Sequence, residues 1–355
     1  MFVSLLITLF VTLSSAVFGY DEAEIVFVGD AMQHQSQIDA GRTGKSSYDF
    51  STCFDDVVEY IGRADFAVVN LETPIGPPPH TGYPSFNAPS EFVDALKDAG
   101  FDLFLTANNH TLDRGARGLR STIRELDARG LAHLGTYGND SSRHDALPMI
   151  FDINGIKVGF LNYTYGTNGV EPRDGVVVDY IDRATIKADV EASRKAGAEL
   201  VAVCIHWGDE YRLLPNASQK HTADFLEAMG VDMIIGAHPH VIQPIEFRTN
   251  RYMPDKKVLL VYSLGNFISN MKTTDTRGGA LVRVLLERGD DRKARLKLAD
   301  YRLLFVIPGT SPKNNYRVMP VDSVKADGWR QKSIDFSRRA RDIYERHNIG
   351  VSETR

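Results

Sequence analysis

Cysteine is almost missing from this chain of 355 residues, with only Cys53 and Cys204 present. A disulfide scaffold and a cysteine-rich zinc or iron–sulfur site are thereby excluded. One pairing stays open, although Cys204 lies in the apolar run Leu200-Val-Ala-Val-Cys-Ile205, where a small buried hydrophobe is expected. An excess of basic charge is also lacking: 41 Lys+Arg stand against 46 Asp+Glu, a formal charge of −5. No whole-chain field exists to hold nucleic acid, so no nucleic-acid partner is expected. Long apolar runs are missing after the first one. Met1 to Gly19 is apolar throughout and is followed by Asp21-Glu-Ala-Glu24. This stretch reads as a signal peptide or an N-terminal anchor. It predicts an extracytoplasmic protein, secreted or held at the membrane through residues 1–19. Internal repeats and low-complexity tracts are lacking too.

What is there is a folded-protein composition, 43% hydrophobic with 29 Gly and 15 Pro. From Glu24 onward, short runs rich in Val, Ile, Phe and Leu alternate with stretches of helical apolar spacing, the pattern of a layered α/β domain. Strands are predicted at Ile25–Val28, Phe66–Val69, Leu103–Thr106, Met149–Asp152, Val158–Asn162, Leu200–Ile205, Met233–Ile235, Val258–Tyr262, Ala280–Leu286 and Arg302–Ile307. So many strands call for more than one sheet. Helices are predicted at Phe54–Ile61, Glu91–Ala99, Gly115–Ala128, Arg183–Ala196 and Ser218–Met229, the last four closed by glycines. Asn154-Gly155 signals a hairpin, and Pro77-Pro-Pro79 a rigid loop. The main domain is expected over 24–310. Beyond it, 311–355 reads as a polar C-terminal extension with a charged surface helix at Ser333–His347.

Five predicted strands end in a metal ligand or proton donor. They lead to Gly29-Asp30, Asn70-Leu-Glu72, Asn108-Asn109-His110, His206-Trp-Gly208 and Gly236-Ala-His238-Pro-His240. A single Asp, Asn or His at a strand end is ordinarily a cap or a satisfied loop residue. Five together, at the carboxyl ends of strands where open α/β sheets bind ligands, point to one convergent site. Carboxylate, amide and imidazole donors without a thiolate suit Mn²⁺, Fe²⁺ or Zn²⁺ better than Ca²⁺. Pro239 fixes the backbone between two imidazoles and favours an extended residue before it. His34, His80, His133, His144, His221 and His347 lack the strand-end setting and are expected to be structural or on the surface, with His80 and His221 adjoining site loops.

These residues carry a resemblance. Phe27-Val-Gly-Asp-Ala-Met32, Val69-Asn-Leu-Glu-Thr-Pro-Ile75, Ala107-Asn-Asn-His-Thr-Leu-Asp113, Ile205-His-Trp-Gly-Asp-Glu-Tyr211, Gly236-Ala-His-Pro-His-Val-Ile-Gln-Pro244 and Tyr262-Ser-Leu-Gly-Asn-Phe267 resemble, in order, the motifs of the CapA family of capsule and poly-γ-glutamate synthesis proteins. That family is similar to the calcineurin-like metallophosphoesterases. The resemblance implies a four-layer α/β/β/α sandwich with a divalent metal site between the sheets. By motif, Asp30, Glu72, Asn109, His206, His238 and His240 would hold metal, and His110 would act as the catalytic acid. Two departures stand out: Met32 replaces the His that phosphoesterases place two residues after the first Asp, and Asn70-Leu-Glu72 replaces a Gly-Asp. A thioether is a poor ligand for such ions, so one ion or two stays open.

Two functions follow. One is a metal-dependent hydrolase outside the cytoplasm, acting on a phosphoester or an anionic polymer. The other is a non-catalytic polymer-binding or assembly component that uses the same pocket. Arg114 and Arg212 are candidates for contacting an anionic substrate, with Arg117 beside them. Membrane synthase subunits are the expected partners of either.

Overall fold

The computed structural model describes residues 22–326 and 328–354. The apolar segment 1–19 therefore lies outside the described residues. Among these residues, no helix is long and apolar enough to cross a membrane.

Two sheets face each other across one core. The larger has nine strands, with Glu22–Ala31 at its centre, flanked in parallel by Phe66–Leu71 and antiparallel by Gly278–Arg288. Leu103–Leu105 and Ala132–Leu134 continue the parallel side. In the smaller, six-stranded sheet, Ile156–Thr164, Leu200–His206, Met233–Ala237 and Lys257–Val261 run parallel. The predicted hairpin is present: Met149–Ile153 pairs antiparallel with Ile156–Thr164 through Asn154 and Gly155, both at positive φ.

Side-chain alternation sorts each strand between two cores. Ile25 and Phe27 of the large sheet meet Ala202, Cys204 and Ile235 of the small one in the inter-sheet core. Val26 and Val28 point the other way, into a second core with Phe92, Val93 and Leu96 of the helix Glu91–Asp98. Val201, Val203 and Ile205 do likewise on the outer face of the small sheet, against Ile186 and Val190 of Arg183–Lys195 and Leu226 of Ala217–Ala228. The layers are therefore α/β/β/α, the sandwich implied by the resemblance. Both cysteines are free and buried, one of them in the inter-sheet core.

The structure differs from the sequence reading in places. The helix expected over 54–61 is confined to Val58–Gly62, because Phe54 and Val57 both turn inward to the outer core of the large sheet. Residues after 310 are built into the domain. Arg317–Pro320 and Ser352–Glu353 both pair with the strand Ala294–Ile307. The helix Arg330–His347 buries Phe336, Ala340 and Tyr344, with the Tyr344 ring 4.6 Å from that of Tyr301.

Candidate metal centre

The carboxyl ends of the two sheets' parallel strands converge, and the predicted site residues meet there. Asp30 is the last residue but one of the central strand of the large sheet and Glu72 directly follows Phe66–Leu71, while His206 ends a strand of the small sheet. His238 and His240 follow Met233–Ala237, and Asn109 and His110 follow Leu103–Leu105. All seven are buried. Gly29 allows the approach of the chains: a Cβ there would lie 1.9 Å from the carbonyl oxygen of Gly265, which accepts the Asp30 N–H at 3.0 Å.

Glu72, His238 and His240 each offer an atom within 4.8 Å of the others, and so do Asp30, Glu72 and His206. Glu72 belongs to both groups. Its two oxygens and His238 Nδ1 are buried without a hydrogen-bond partner. His206 Nε2 lies 2.9 Å from Asn109 Oδ1 and 3.6 Å from Glu72 Oε1. A bare buried carboxylate is costly, and a divalent cation among these oxygen and imidazole donors satisfies it. The donor set thus fits a divalent metal ion by its chemistry.

Neighbouring residues fix the donors. His240 Nδ1 sits between two acceptors, Asp30 Oδ2 at 3.1 Å and Asn266 Oδ1 at 3.0 Å. That placement makes Nδ1 the N–H and leaves the Nε2 lone pair 3.7 Å from Glu72 Oε1. Asn70 Nδ2 donates to Asp30 Oδ1 at 2.7 Å. Asn108 Nδ2 donates to the Leu71 carbonyl, tying the Asn109-His110 turn to the strand before Glu72. His238 (φ 100°) and His240 (φ 56°) lie in the left-handed half of the map. His238 thus departs from the extended conformation expected before Pro239. Such backbone strain costs about 1–3 kcal/mol per residue and persists where the surroundings over-determine it.

Electrostatics follow from burial. Burial, then the charge of Asp30, pushes the Glu72 carboxyl well above its usual range. Burial and neighbouring imidazoles hold His206 well below the usual imidazole range and His238 at about 3. Burial also acts to raise Asp30, but the hydrogen bond and charge of His240 and the Asn70 amide outweigh it, and its carboxyl is lowered.

His110 forms a separate pair. Its Nδ1 is 2.8 Å from Asp113 Oδ2, which also accepts the Phe86 N–H at 2.8 Å. The Phe86 ring packs edge-on to the imidazole at 4.7 Å. The carboxylate orients the ring. Arg114 and Arg117 line a neighbouring cleft of about 370 Å³ with Pro77, Pro78, Pro79 and Asp113. Arg212 is exposed, and its carbonyl accepts from Gln243 Nε2 at 2.7 Å.

Sequence reasoning missed several participants. Asn70 and Asn266 stood in the quoted motifs but were not named as site residues. His34, expected to be merely structural, lies beside the site: its ring is edge-on to Phe86 at 5.3 Å and its Nδ1 accepts the Asn270 N–H at 3.2 Å. Burial, followed by opposing and reinforcing neighbours that include His240 and His110, holds it at about 4.

Comparison with known proteins places this architecture. The chain belongs to the family described as bacterial capsule synthesis protein PGA_cap, whose model matches residues 24–271 and so spans every candidate ligand. The capsule biosynthesis protein CapA of Bacillus anthracis is 28% identical over 333 residues, covering 88% of this chain and 76% of that protein. The PGA biosynthesis protein CapA of Bacillus subtilis (strain 168) is 33% identical over 211 residues, 56% of this chain and 50% of that protein. Among solved structures, the NAD nucleotidase of Haemophilus influenzae aligns with a TM-score of 0.48 at 13% identity, over 94% of this chain and 64% of that one. A putative 5'-nucleotidase from Staphylococcus aureus gives 0.46 at 15%, over 89% and 58%.

Proposed function

We propose that this protein is a metal-dependent hydrolase acting outside the cytoplasm in capsule or poly-γ-glutamate synthesis, on a phosphoester or on a bond of an anionic polymer. The observation that carries the reading is Glu72, a buried carboxylate with no hydrogen-bond partner, shared between two groups of buried donors. Asp30, Glu72, Asn109, His206, His238 and His240 would hold the ion. When bound, a divalent cation supplies Lewis acidity and neutralises developing negative charge.

The chain's own residues supply the rest. Asn266 and Asp30 hold the His240 tautomer, and Asn70 holds Asp30. His110, steadied by Asp113 and Phe86, is the group able to deliver a proton to a leaving oxygen or nitrogen. Arg114 and Arg212 would meet an anionic substrate at the periphery. The apolar segment 1–19 supports placement outside the cytoplasm, where membrane synthase subunits would be the partners.

The test is turnover. Purified protein loaded in turn with Mn²⁺, Fe²⁺ and Zn²⁺ is assayed on phosphomonoesters, phosphodiesters and poly-γ-glutamate. Hydrolysis that chelator abolishes and His110→Asn lowers supports the reading. Metal bound in stoichiometric amount without turnover on any of the three sinks it in favour of a polymer-binding component.

A further inference from the structure

Three tyrosines separated widely in sequence stand exposed around the metal centre. Tyr165 is 48% exposed, Tyr211 55% and Tyr83 72%. Tyr165 follows directly on the end of its strand. Its ring lies parallel to that of His206, 9° apart in plane at 6.3 Å, and 4.6 Å from that of His238. The Tyr211 ring is 6.3 Å from that of His240. Tyr83 packs at 6.3 Å on Phe86, the ring that supports His110. Each tyrosine is thus joined by ring contacts to a residue of the site while leaving much of its surface to solvent.

The exposure is held in place rather than left to a loose loop. Tyr211 occupies the left-handed region, at φ 65°, a strained position for a bulky residue. Its N–H is bonded at 2.8 Å to the carbonyl of Pro239, between His238 and His240. The segment carrying it is pinned by Gln243 to the Arg212 carbonyl and by Asn216 to Asp209. An aromatic ring kept in water at the cost of backbone strain is held there for contact.

Charge then narrows what the rings contact. Asp209 and Glu210 are exposed on the same segment, followed by the exposed Arg212, and Glu210 is near enough to act on the phenols of both Tyr165 and Tyr211. Carboxylates beside aromatic faces repel a polycarboxylate chain and accept hydrogen bonds from hydroxyl groups. Tyrosine presents an apolar face together with a polar tip. We infer that Tyr165 and Tyr211, together with Tyr83 on Phe86, form a subsite for a neutral, hydroxyl-rich ring, a sugar carried on the phosphoester that the metal centre engages. This rests on the proposed phosphoester reading and deepens it by naming the group next to the scissile bond.

The test compares ligands that share a phosphate. Binding of a hexose 1-phosphate, glycerol 1-phosphate and adenosine monophosphate to the full chain is followed by saturation-transfer NMR and titration, with metal content recorded on each sample. The hexose phosphate should bind more tightly than glycerol phosphate, with saturation reaching the ring protons. Tyr165→Ala and Tyr211→Ala should each weaken it by about three- to ten-fold and leave glycerol phosphate unchanged, while Tyr165→Phe keeps the preference. Equal affinity for the hexose and glycerol phosphates, or a preference that both alanine variants retain, overturns the subsite. Tighter binding of adenosine monophosphate than of hexose phosphate overturns its assignment to a sugar. Failure of the metal reading shows separately, as samples without metal in which the ring preference persists.

Discussion

Replacing Glu72 by Gln should reverse sign in its effect on stability according to whether metal is present. In chelator-treated protein the Glu72 carboxylate is fully buried with both oxygens unpartnered, and burial raises its pKa well above 4.5. An acid with a raised folded-state pKa contributes no penalty below the unfolded value and loses stability as pH rises above it. The slope is about 1.4 kcal/mol per pH unit until the folded-state pKa is passed. At pH 7.5, about three pH units above the usual value of 4.5, that slope caps the cumulative cost at about 4 kcal/mol, which Glu72→Gln removes. His206 and His238, whose pKa values are lowered, act on the acid side: they cost stability as pH falls below about 6.5. They do so in both proteins, and so drop out of the difference. Stripped Glu72→Gln should therefore melt higher than stripped wild type at pH 7.5, by up to about 8 °C if each kcal/mol moves a chain of this size by about 2 °C. With metal at a hundred times its dissociation constant, wild type gains about 2.7 kcal/mol, and the variant, lacking the shared carboxylate, gains little. Thermal melts at pH 5 and 7.5, with and without chelator, read all four arms. Stripped wild type melting at or above stripped Glu72→Gln at pH 7.5, or metal raising both alike, would refute the reasoning.

Other outcomes follow from the same geometry. His110→Asn should reduce kcat by about 10²- to 10⁴-fold with bound metal unchanged, because His110 pairs with Asp113 outside both donor groups; Asp113→Asn should reduce it less, and loss of metal in either variant would contradict this division of labour. Glu227 accepts from Arg248 and Arg251, which outweigh its burial and hold its carboxyl at about 2. Its stabilisation is complete above about 4.5 and is lost as pH falls toward 2, so Glu227→Gln should flatten acid unfolding in that window, as followed by circular dichroism. Gly29→Ala should destabilise the domain and cost it bound metal, since the added Cβ would meet the Gly265 carbonyl at 1.9 Å beside Asp30; calorimetry together with elemental analysis checks both.

The layered α/β fold was legible because the strands are buried on both faces. Leu200–His206 is apolar nearly throughout in sequence, and the structure sends Val201, Val203 and Ile205 to one core and Ala202 and Cys204 to the other. Short or half-polar strands were not legible. Ala132–Leu134 and Ile245–Thr249 are set by their partners in the sheet rather than by pattern. The helix Arg330–His347 read as a charged surface element because Phe336, Ala340 and Tyr344 make a narrow stripe among charges. At the site, each candidate ligand could be named from its strand end, since a strand's carboxyl terminus fixes where the next residues go. What the sequence could not show is which amide steadies which imidazole. The contact of Asn266 with His240 and that of Asn70 with Asp30 exist only once separate strands are in register.

The central claim is that Asp30, Glu72, Asn109, His206, His238 and His240 form one metal centre. Elemental analysis of purified wild type, Asp30→Ala and His238→Ala, after loading and exhaustive dialysis, tests it most directly. The account predicts one or two equivalents of Mn, Fe or Zn per chain in wild type and a marked loss in both variants, each still unfolding cooperatively. Equal metal in all three proteins, or none in wild type after loading, would contradict it.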